Sequence, residues 1–289
     1  MTYVRKAEAT GRVDIRPQCM AREITVNAAG KARSVIYFDA NRQEQEIAAR
    51  AIVVAGNAVE TPRLLLLSKS ALSRRPGQLQ RPGGQLLHRA PGRFTYALFA
   101  ERLDAWRGIP AGGMIQDFYE TDPANSFARG FTVEINNGWQ WPLSVAQRAP
   151  GWGAGHKQRV KELFSHMVGL ASVGDQLPDL RNTVSLDPEV KDLYGLPVPR
   201  IVNEPRPNDQ AMLGAIRQRF DEILQAAGAT EIWEPEYRPG GSSHYLGTCR
   251  MGNDPRTSVV DAWCRFHDVP NLFIGDSSPS SPARASTLR

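Results

Sequence analysis

The segment Gly240–Asp261, GGSSHYLGTCRMGNDPRTSVVD, holds the residue types best suited to chemistry. His244 stands among glycines and small polar residues without helical or strand periodicity, and such stretches often bring the main chain close to a ligand. Imidazole titrates near neutral pH, so His244 is the best general acid/base candidate among the five histidines. A structural histidine that holds a loop is the alternative that the residues alone leave open.

Two other chemistries lack their usual spacing. No G-x-S-x-G motif of a serine hydrolase is present. Cys19, Cys249 and Cys264 are widely separated, form no C-x-x-C pair, and have no histidine at a zinc-finger distance. We therefore predict no metal site and no disulfide framework, and expect the cysteines to pack as small apolar side chains.

An apolar run followed by a glycine turn predicts a strand and a helix that could position such a site. Ala51–Ala55 is bounded by Gly56 and suits a strand covered on both faces, as in a parallel sheet. Thr61 is the predicted N-cap of the following helix, with Pro62 at its first position. This order would aim backbone N–H groups at an anion such as a phosphate.

Further patterns predict an alternation of strands and helices along the rest of the chain. The helix at Asp209–Ala227 has the clearest periodicity, and Gly228 is a natural stop. The other predicted elements are strands at Ile24–Val26, Ser34–Phe38, Phe131–Ile135 and Asn271–Ile274, and a helix at His156–Val168.

Length and charge exclude several classes of protein. The 289 residues predict about two domains. The net charge of +5 comes from Lys69–Ala100, which has six Lys or Arg and no acidic residue. Because this charge lies in one Pro/Gly-rich window without periodicity, we predict no nucleic-acid binding. Apolar runs are too short for a transmembrane segment, and we expect no signal peptide, which leaves the compartment unassigned.

Two blocks of the sequence resemble one known family. HYLGTCRMGNDPRTSVVDAWCRFHDVPNLFIGDSS is similar to the C-terminal signature of the glucose–methanol–choline (GMC) flavoprotein oxidoreductases. AIVVAGNAVETPRLLLLS is similar to that family's second signature, a strand, Ala-Gly, and Ser/Thr-Pro before a leucine-rich helix. Gluconate dehydrogenase flavoprotein subunits are the members that the chain resembles most. The resemblance implies an FAD-dependent oxidoreductase for an alcohol, sugar or sugar acid.

The resemblance also implies roles for individual residues. His244 matches the catalytic histidine, which takes the hydroxyl proton while hydride leaves for the flavin. The residues that match cofactor contacts of the family are Ala55, Gly56 and Asn57 along the FAD, Asp276 and Ser277 in a turn beside it, and Ala21 on the adenine side.

Alternatives remain for several of these residues. Ala55–Asn57 could serve only to pack the strand against the helix, without contacting a cofactor. His267 aligns with an exposed turn of the family and is not expected to be catalytic. Packing is the expected role of Cys249, and Arg250 is expected to shape its loop.

The implied fold is α/β: an incomplete Rossmann-like FAD domain with an inserted α+β substrate domain of antiparallel sheet and helices. We expect residues 1–72 to form the end of the first FAD-binding segment. Residues 73–231 would form the substrate domain, and residues 232–289 the returning FAD segment with the catalytic histidine. The implied partners are a small alcohol or sugar, a cytochrome or quinone acceptor, and a small subunit.

The chain also departs from the family pattern. It lacks the opening G-x-G-x-x-G and the closing Asn-Pro or His-Pro that carries a second catalytic residue. Frameshifts within residues 73–93 and 279–289 would explain both the missing closing motif and the presence of the basic window. In that case we expect residues 73–93 and 279–289 to be poorly packed. The alternative function is therefore a non-catalytic, truncated or frameshifted fragment of such an enzyme.

Overall fold

A computed structural model describes residues 2–68, 83–109, 111–136, 142–234 and 244–280. The chain divides into two compact units, each assembled from separate stretches of sequence. Unit 1 contains residues 1–87, 179–202 and 246–281, and unit 2 contains residues 88–178, 203–245 and 282–289. None of the helices in the described ranges is long and apolar enough to span a membrane.

Unit 1 begins with a helix and an antiparallel sheet. Helix α1 (Thr2–Glu8) precedes strands β1 (Met20–Val26), β2 (Ala32–Phe38) and β3 (Glu44–Ala48), which pair in that order. Asx turns close both hairpins: Asn27 Oδ1 accepts from the N–H groups of Ala29 and Lys31, and Asp39 Oδ1 accepts from those of Asn41 and Gln43. The predicted strands at Ile24–Val26 and Ser34–Phe38 are confirmed.

A parallel strand pair and a second hairpin complete unit 1. Strand β4 (Ile52–Val54) pairs in parallel with β14 (Leu272–Ile274), and helix α2 (Asn57–Leu67) follows β4. Strands β10 (Thr183–Lys191) and β11 (Pro197–Val202) form an antiparallel pair. The core of this unit around β4 and β14 is apolar and comes from its first and last sequence stretches; it includes Ile24, Ile52, Val54, Leu65, Val260, Phe266, Leu272 and Ile274.

Two details of the strand–helix prediction are wrong. Helix α2 begins at Asn57, so Thr61 and Pro62 lie within it rather than at its start. Asn57 provides the cap instead: its side-chain oxygen accepts from the N–H groups of Val59 and Glu60. The strand is also covered on one face only, because Val53 is 63% exposed while its two neighbours are buried.

Unit 2 is built on a five-stranded antiparallel sheet. The order across it is β12 (Glu231–Trp233), β6 (Phe94–Leu98), β9 (Met167–Gly174), β8 (Phe131–Asn136) and β7 (Ala111–Ile115). The remaining elements of this part of the chain are the short strands β5 (His88–Arg89) and β13 (Tyr245–Leu246), a 3-10 turn at Ala105–Arg107, and helices α3 (Pro142–Arg148), α4 (Gly153–His166) and α5 (Pro207–Ala226).

Helices cover both faces of this sheet to different extents. The apolar stripe of α5, Met212, Ile216, Phe220 and Leu224, is fully buried against one face. Side chains of α3 and α4 pack against Tyr96 and Met167 on the other face. The predicted helix at residues 209–227 is confirmed, and Gly228 stops it with φ +87°. The helix predicted at residues 156–168 ends at His166, where β9 begins.

The predicted boundary at residue 73 and the assignment of residues 179–202 need correction. The β10–β11 hairpin belongs to unit 1, because the buried Arg63 of α2 binds both Asp192 and the carbonyl of Pro197. Unit 1 also extends to residue 87. These contacts join residues far apart in sequence, which local patterns do not reveal.

Part of the window 73–93 is well packed, contrary to the expectation of loose packing. Leu86, Leu87, His88 and Arg89 are buried. Gly84 accepts from the N–H of Val184 and donates to the carbonyl of Thr248. Its φ is +78°, and a Cβ there would lie 2.1 Å from the Val184 oxygen, so only glycine fits. Residues 73–82 and 281–289 of the proposed windows lie outside the described residues.

Candidate functional site

Two strand ends meet at one edge of unit 1. Because β4 and β14 are parallel, the residues that follow them lie side by side, and the Gly275 N–H donates to the Val54 carbonyl at 2.7 Å. Ala55, Asn57 and Gly275 are exposed at this edge. We call residues 55–57 and 275–277 together the strand-end ledge. The structure therefore brings five of the seven predicted site residues together: Ala55, Gly56, Asn57, Asp276 and Ser277.

Asp276 fastens the two halves of the ledge to each other. One carboxylate oxygen, Oδ2, accepts from the Asn57 N–H at 3.0 Å and from the Thr61 hydroxyl at 2.5 Å. The other oxygen, Oδ1, accepts from the Ser278 N–H at 2.7 Å. The Thr61 hydroxyl oxygen in turn accepts from the Gly56 N–H at 3.0 Å. A carboxylate in contact with donors from two segments fixes their relative position.

The start of α2 is occupied by groups of the chain itself. The N–H of Asn57 binds Asp276, and those of Val59 and Glu60 bind the Asn57 side chain. These three N–H groups of the first turn therefore have acceptors already, and the Asp276 carboxylate adds negative charge there. The expectation that this helix start presents free amides to a phosphate is wrong for these three groups.

The segment after His244 packs beside the ledge. The Cys249 N–H donates to the Ser278 carbonyl at 2.9 Å, and the Thr248 hydroxyl donates to the Ala58 carbonyl at 2.8 Å. Cys249 is fully buried in the core of unit 1, as expected for a packing role. Burial raises the pKa of its thiol to about 12, so the side chain is neutral at physiological pH.

Arg250 and His267 both serve the loop at residues 250–267. Arg250 Nε donates to the Thr257 carbonyl at 2.5 Å, and its own carbonyl accepts from the Val259 N–H. This geometry agrees with the expected loop-shaping role. His267 is half-buried, and its Nε2 lies 2.9 Å from the Ser258 hydroxyl, a contact that the sequence did not predict.

The other two predicted site residues lie elsewhere. Ala21 is half-buried in β1, opposite Tyr37 of β2, in the antiparallel sheet rather than at the ledge. His244 belongs to unit 2, where it directly precedes β13 and is exposed. Among the described residues, no group of three His, Cys, Asp or Glu side chains could hold a metal ion.

Sequence reasoning missed two residues that organise the ledge. Thr61 links Asp276 to Gly56, and Thr248 links the segment after β13 to the first turn of α2. Both side chains are fully buried. Each of the two family-like blocks contains one of these hydroxyl groups, and this is the sequence feature that could have identified them. The interpretation of Thr61 as a helix N-cap led away from its contact with Asp276.

Comparisons with known proteins identify the family of the chain. Two family models described as GMC oxidoreductase match residues 1–80 and 178–288, together more than half of the chain. A 2-methyl-1,2-propanediol dehydrogenase of Mycolicibacterium austroafricanum is 32% identical over 92% of this chain and 50% of its own length. The fructose dehydrogenase large subunit of Gluconobacter japonicus is 30% identical over 98% of the chain and 52% of its own length.

Further similarities extend the same pattern. The gluconate 2-dehydrogenase flavoprotein of Pantoea cypripedii is 25% identical over 88% of the chain and 45% of its own length. Among solved structures, a formate oxidase variant of Aspergillus oryzae RIB40 has a TM-score of 0.62 at 17% identity, over 91% of this chain and 56% of that one. That likeness shows the fold alone. The chain spans about half the length of the relatives it matches, and it belongs to the GMC oxidoreductase family.

Proposed function

We propose that this chain is part of an FAD-dependent oxidoreductase that oxidises CH–OH donors, an alcohol, a sugar or a sugar acid. The observation that carries the proposal is the ledge, where the two family-like blocks contribute adjacent parallel strands, β4 and β14, and are joined through Asp276. The names of the relatives, which include dehydrogenases for a diol, fructose and gluconate, support this substrate class.

The ledge suits a cofactor that lies against the backbone. Ala55, Gly56 and Gly275 carry little or no side chain, so a flat molecule can approach the main chain closely. We propose that Ala55, Gly56, Asn57 and Ser277 contact FAD, and that Asp276 acts by holding them in place. Ala21 stays a proposed contact on the adenine side. Bound FAD would supply the acceptor for the hydride.

His244 is the proposed general base. Its side chain is exposed, so a dissolved alcohol can reach the imidazole. A neutral ring nitrogen can take the hydroxyl proton, which increases electron density on the carbinol carbon and favours loss of its hydrogen as hydride. The proton is then held on the imidazole until it is released to solvent.

The domain roles follow as part of the proposal. Unit 1 would be the incomplete Rossmann-like FAD domain, and the five-stranded sheet of unit 2 the substrate domain. A cytochrome or quinone would accept the electrons, and a small subunit would accompany the chain. The name of one relative, a fructose dehydrogenase large subunit, supports a multi-subunit assembly.

The test is flavin binding followed by turnover. Purified chain is dialysed against FAD, and bound flavin is quantified by absorbance; D-fructose, gluconate and 2-methyl-1,2-propanediol are then assayed with an artificial electron acceptor. We expect stoichiometric flavin and activity with at least one donor. His244→Gln should lower kcat by about 10²-fold or more, whereas the control His267→Gln should keep most activity.

Two results would contradict parts of this proposal. Equal activity of His244→Gln and the unmodified chain would remove His244 as the base. A folded chain that retains no flavin would favour the alternative function, a non-catalytic fragment of such an enzyme.

A further inference from the structure

A buried glutamine in unit 2 joins three separate segments of the chain. Gln176 lies two positions after the end of β9 and is 1% exposed. Its Oε1 accepts from the Arg89 backbone N–H at 2.8 Å and from the Asn203 side-chain amide at 3.2 Å. Its Nε2 donates to the Asp209 carboxylate at 2.8 Å. One side chain therefore connects the end of β9 to β5 and to the start of α5.

The Asp209 end of this connection is fixed by helix α5. Asp209 is 1% exposed and lies in the first turn of the helix, where a carboxylate is favoured by the helix dipole. The same oxygen that accepts from Gln176, Oδ2, accepts from the Arg206 N–H at 2.9 Å in a capping box. The apolar stripe of α5 is fully buried. Gln176 is therefore held against an element that is itself anchored in the core.

The other end of the connection leads to His244. Strand β5 pairs with β13, and His244 directly precedes β13. Each of these strands has only two residues, so their pairing alone gives little rigidity. The hydrogen bond from the Arg89 N–H to Gln176 adds a buried fixed point to β5. A continuous path thus runs from α5 through Gln176, β5 and β13 to His244.

The position of Gln176 requires one acceptor and one donor without net charge. A primary amide supplies both, because its oxygen can accept from an N–H while its nitrogen donates to a carboxylate. An apolar side chain of the same length would leave the Arg89 N–H without this acceptor and Asp209 without this donor. Gln218 of α5 makes a similar bond at the surface, where its Nε2 donates to Glu222 at 2.8 Å.

We propose that Gln176 is a positioning residue for His244, which acts by holding β5 and, through β5, the strand that follows the histidine. The inference rests on the proposed function, because it takes His244 as the general base. Proton transfer depends steeply on geometry, and a displacement of about 1 Å caused by a distant substitution can cost about 100-fold in rate. A bond that fixes β5 would therefore influence the reaction without contact with the substrate.

Hydrogen exchange of the intact chain, followed by mass spectrometry, tests the link from Gln176 to β13. Gln176→Met removes both hydrogen-bonding groups at nearly constant length. We expect the amides of residues 244–247 to exchange about tenfold faster in this variant, because β5 and β13 open more often. The matched control is Gln218→Met, which removes an exposed amide–carboxylate bond of the same unit and should leave exchange at residues 244–247 unchanged.

Gln176→Glu separates hydrogen bonding from packing, because it keeps the shape of the side chain. At pH 5.5 the buried pair that this substitution forms with Asp209 should retain one proton, which restores a donor; at pH 8 both carboxylates ionise and repel. Relative to the unmodified chain at the same pH, we expect normal exchange at pH 5.5 and about fivefold faster exchange at pH 8. Gln176→Met should show no such recovery.

The other charged groups near this position do not account for that difference. Arg89 contacts Gln176 through its backbone N–H. Burial raises the pKa of the neighbouring Asp175, while Arg129 and His88 oppose that effect. These groups are common to the variant and the unmodified chain, so their titration cancels in the ratio of exchange rates at each pH.

Turnover of the flavin-loaded chain tests the consequence for the reaction. We expect Gln176→Met to lower kcat about tenfold and to change KM by less than about twofold, because the geometry of proton transfer is lost while substrate binding is kept. Bound flavin should stay the same, since the ledge belongs to unit 1 and Gln176 to unit 2.

Two results would overturn the inference. One is unchanged exchange at residues 244–247 in folded Gln176→Met, and the other is faster exchange there with unchanged kcat. Thermal unfolding shows whether each variant folds; if Gln176→Met does not, Gln176→Glu at the two pH values decides. Full activity of His244→Gln, or absence of bound flavin, would refute the proposed function instead, and the exchange data would still decide whether Gln176 holds β13.

Discussion

The Asp276 carboxylate receives hydrogen bonds from donors on both sides of the ledge, although Asn57 is 219 positions away in the chain. Replacing it with alanine leaves the N–H groups of Asn57 and Ser278 and the hydroxyl of Thr61 without acceptors. We expect Asp276→Ala to lower the free energy of unfolding by about 2–4 kcal/mol. Asp276→Asn keeps one acceptor oxygen and should lower it by about half as much.

Urea unfolding followed by circular dichroism measures both effects. The matched control is Asp14→Ala, because Asp14 is a largely exposed carboxylate of the same unit and its ion pair with Arg16 is on the surface. An unfolding free energy for Asp276→Ala as high as that of the control would show that Asp276 does not fasten the ledge.

Cys249 provides a second prediction for a single side chain. With a thiol pKa of about 12, only about one molecule in ten thousand carries the thiolate at pH 8, and the sulfur is fully buried. We expect iodoacetamide to leave Cys249 unmodified in the native chain and to alkylate it after denaturation. Peptide mass spectrometry reads this out, with the half-buried Cys19 as internal comparison. Rapid native alkylation of Cys249 would contradict the packing described for this core.

Between elements, one ion pair anchors the β10–β11 hairpin to α2. Burial alone would raise the pKa of Asp192, but hydrogen bonds from Arg63 and from the N–H groups of Leu196 and Tyr194 lower it overall. The Arg63 guanidinium contacts the Asp192 carboxylate at 2.6 Å. Protonation of Asp192 therefore removes an attraction that exists only in the folded chain.

The sign of the resulting pH dependence follows from linkage. A carboxylate whose folded pKa lies below its unfolded value of about 3.9 stabilises the fold above that pH, and this stability is lost as pH falls through the folded pKa. We expect Asp192→Asn to be less stable than the unmodified chain at pH 6. Its stability should also fall less between pH 5 and pH 3, as measured by urea unfolding. Parallel losses in both proteins over that range would exclude the Asp192 contribution.

For the whole molecule, the positive net charge has a local origin. The basic window, Lys69–Ala100, contains six Lys or Arg residues and no acidic residue, and one of the six, Arg93, pairs with Glu234 from outside the window. Arginines elsewhere also pair with carboxylates, for example Arg159 with Glu231 and Arg217 with Asp221. Charges neutralised in this way contribute little attraction to a phosphate backbone.

We therefore expect no binding to a fluorescent 20-base-pair duplex at physiological ionic strength, as measured by anisotropy. Any weak binding at low salt should vanish steeply as salt is added, because it would reflect counterion release alone. Salt-resistant binding would show that the basic window forms a nucleic-acid surface.

Local sequence determined the elements whose signals are local. The periodic apolar stripe of α5 and the glycine that ends it identified that helix, and short apolar segments identified β1, β2, β8 and β14. The two motif blocks supply the strands β4 and β14 and the five residues that meet at the ledge, whereas Ala21 and His244 lie elsewhere. The helix and strand signals depend on neighbours within a few positions, which is the range over which side-chain periodicity and turn chemistry act.

Only the tertiary structure decided how the ledge is held together. Thr61 fits a helix cap by type and spacing, yet a carboxylate over 200 positions away takes its hydroxyl into a buried hydrogen bond. Three other features depend likewise on residues distant in sequence. They are the exposure of Val53, the packing of residues 84–89 and the position of the β10–β11 hairpin against α2. Burial and hydrogen bonding across such distances outweigh local propensity because a buried polar group left without a partner costs about 1–3 kcal/mol. Intrinsic propensity contributes only a few tenths of a kcal/mol per residue.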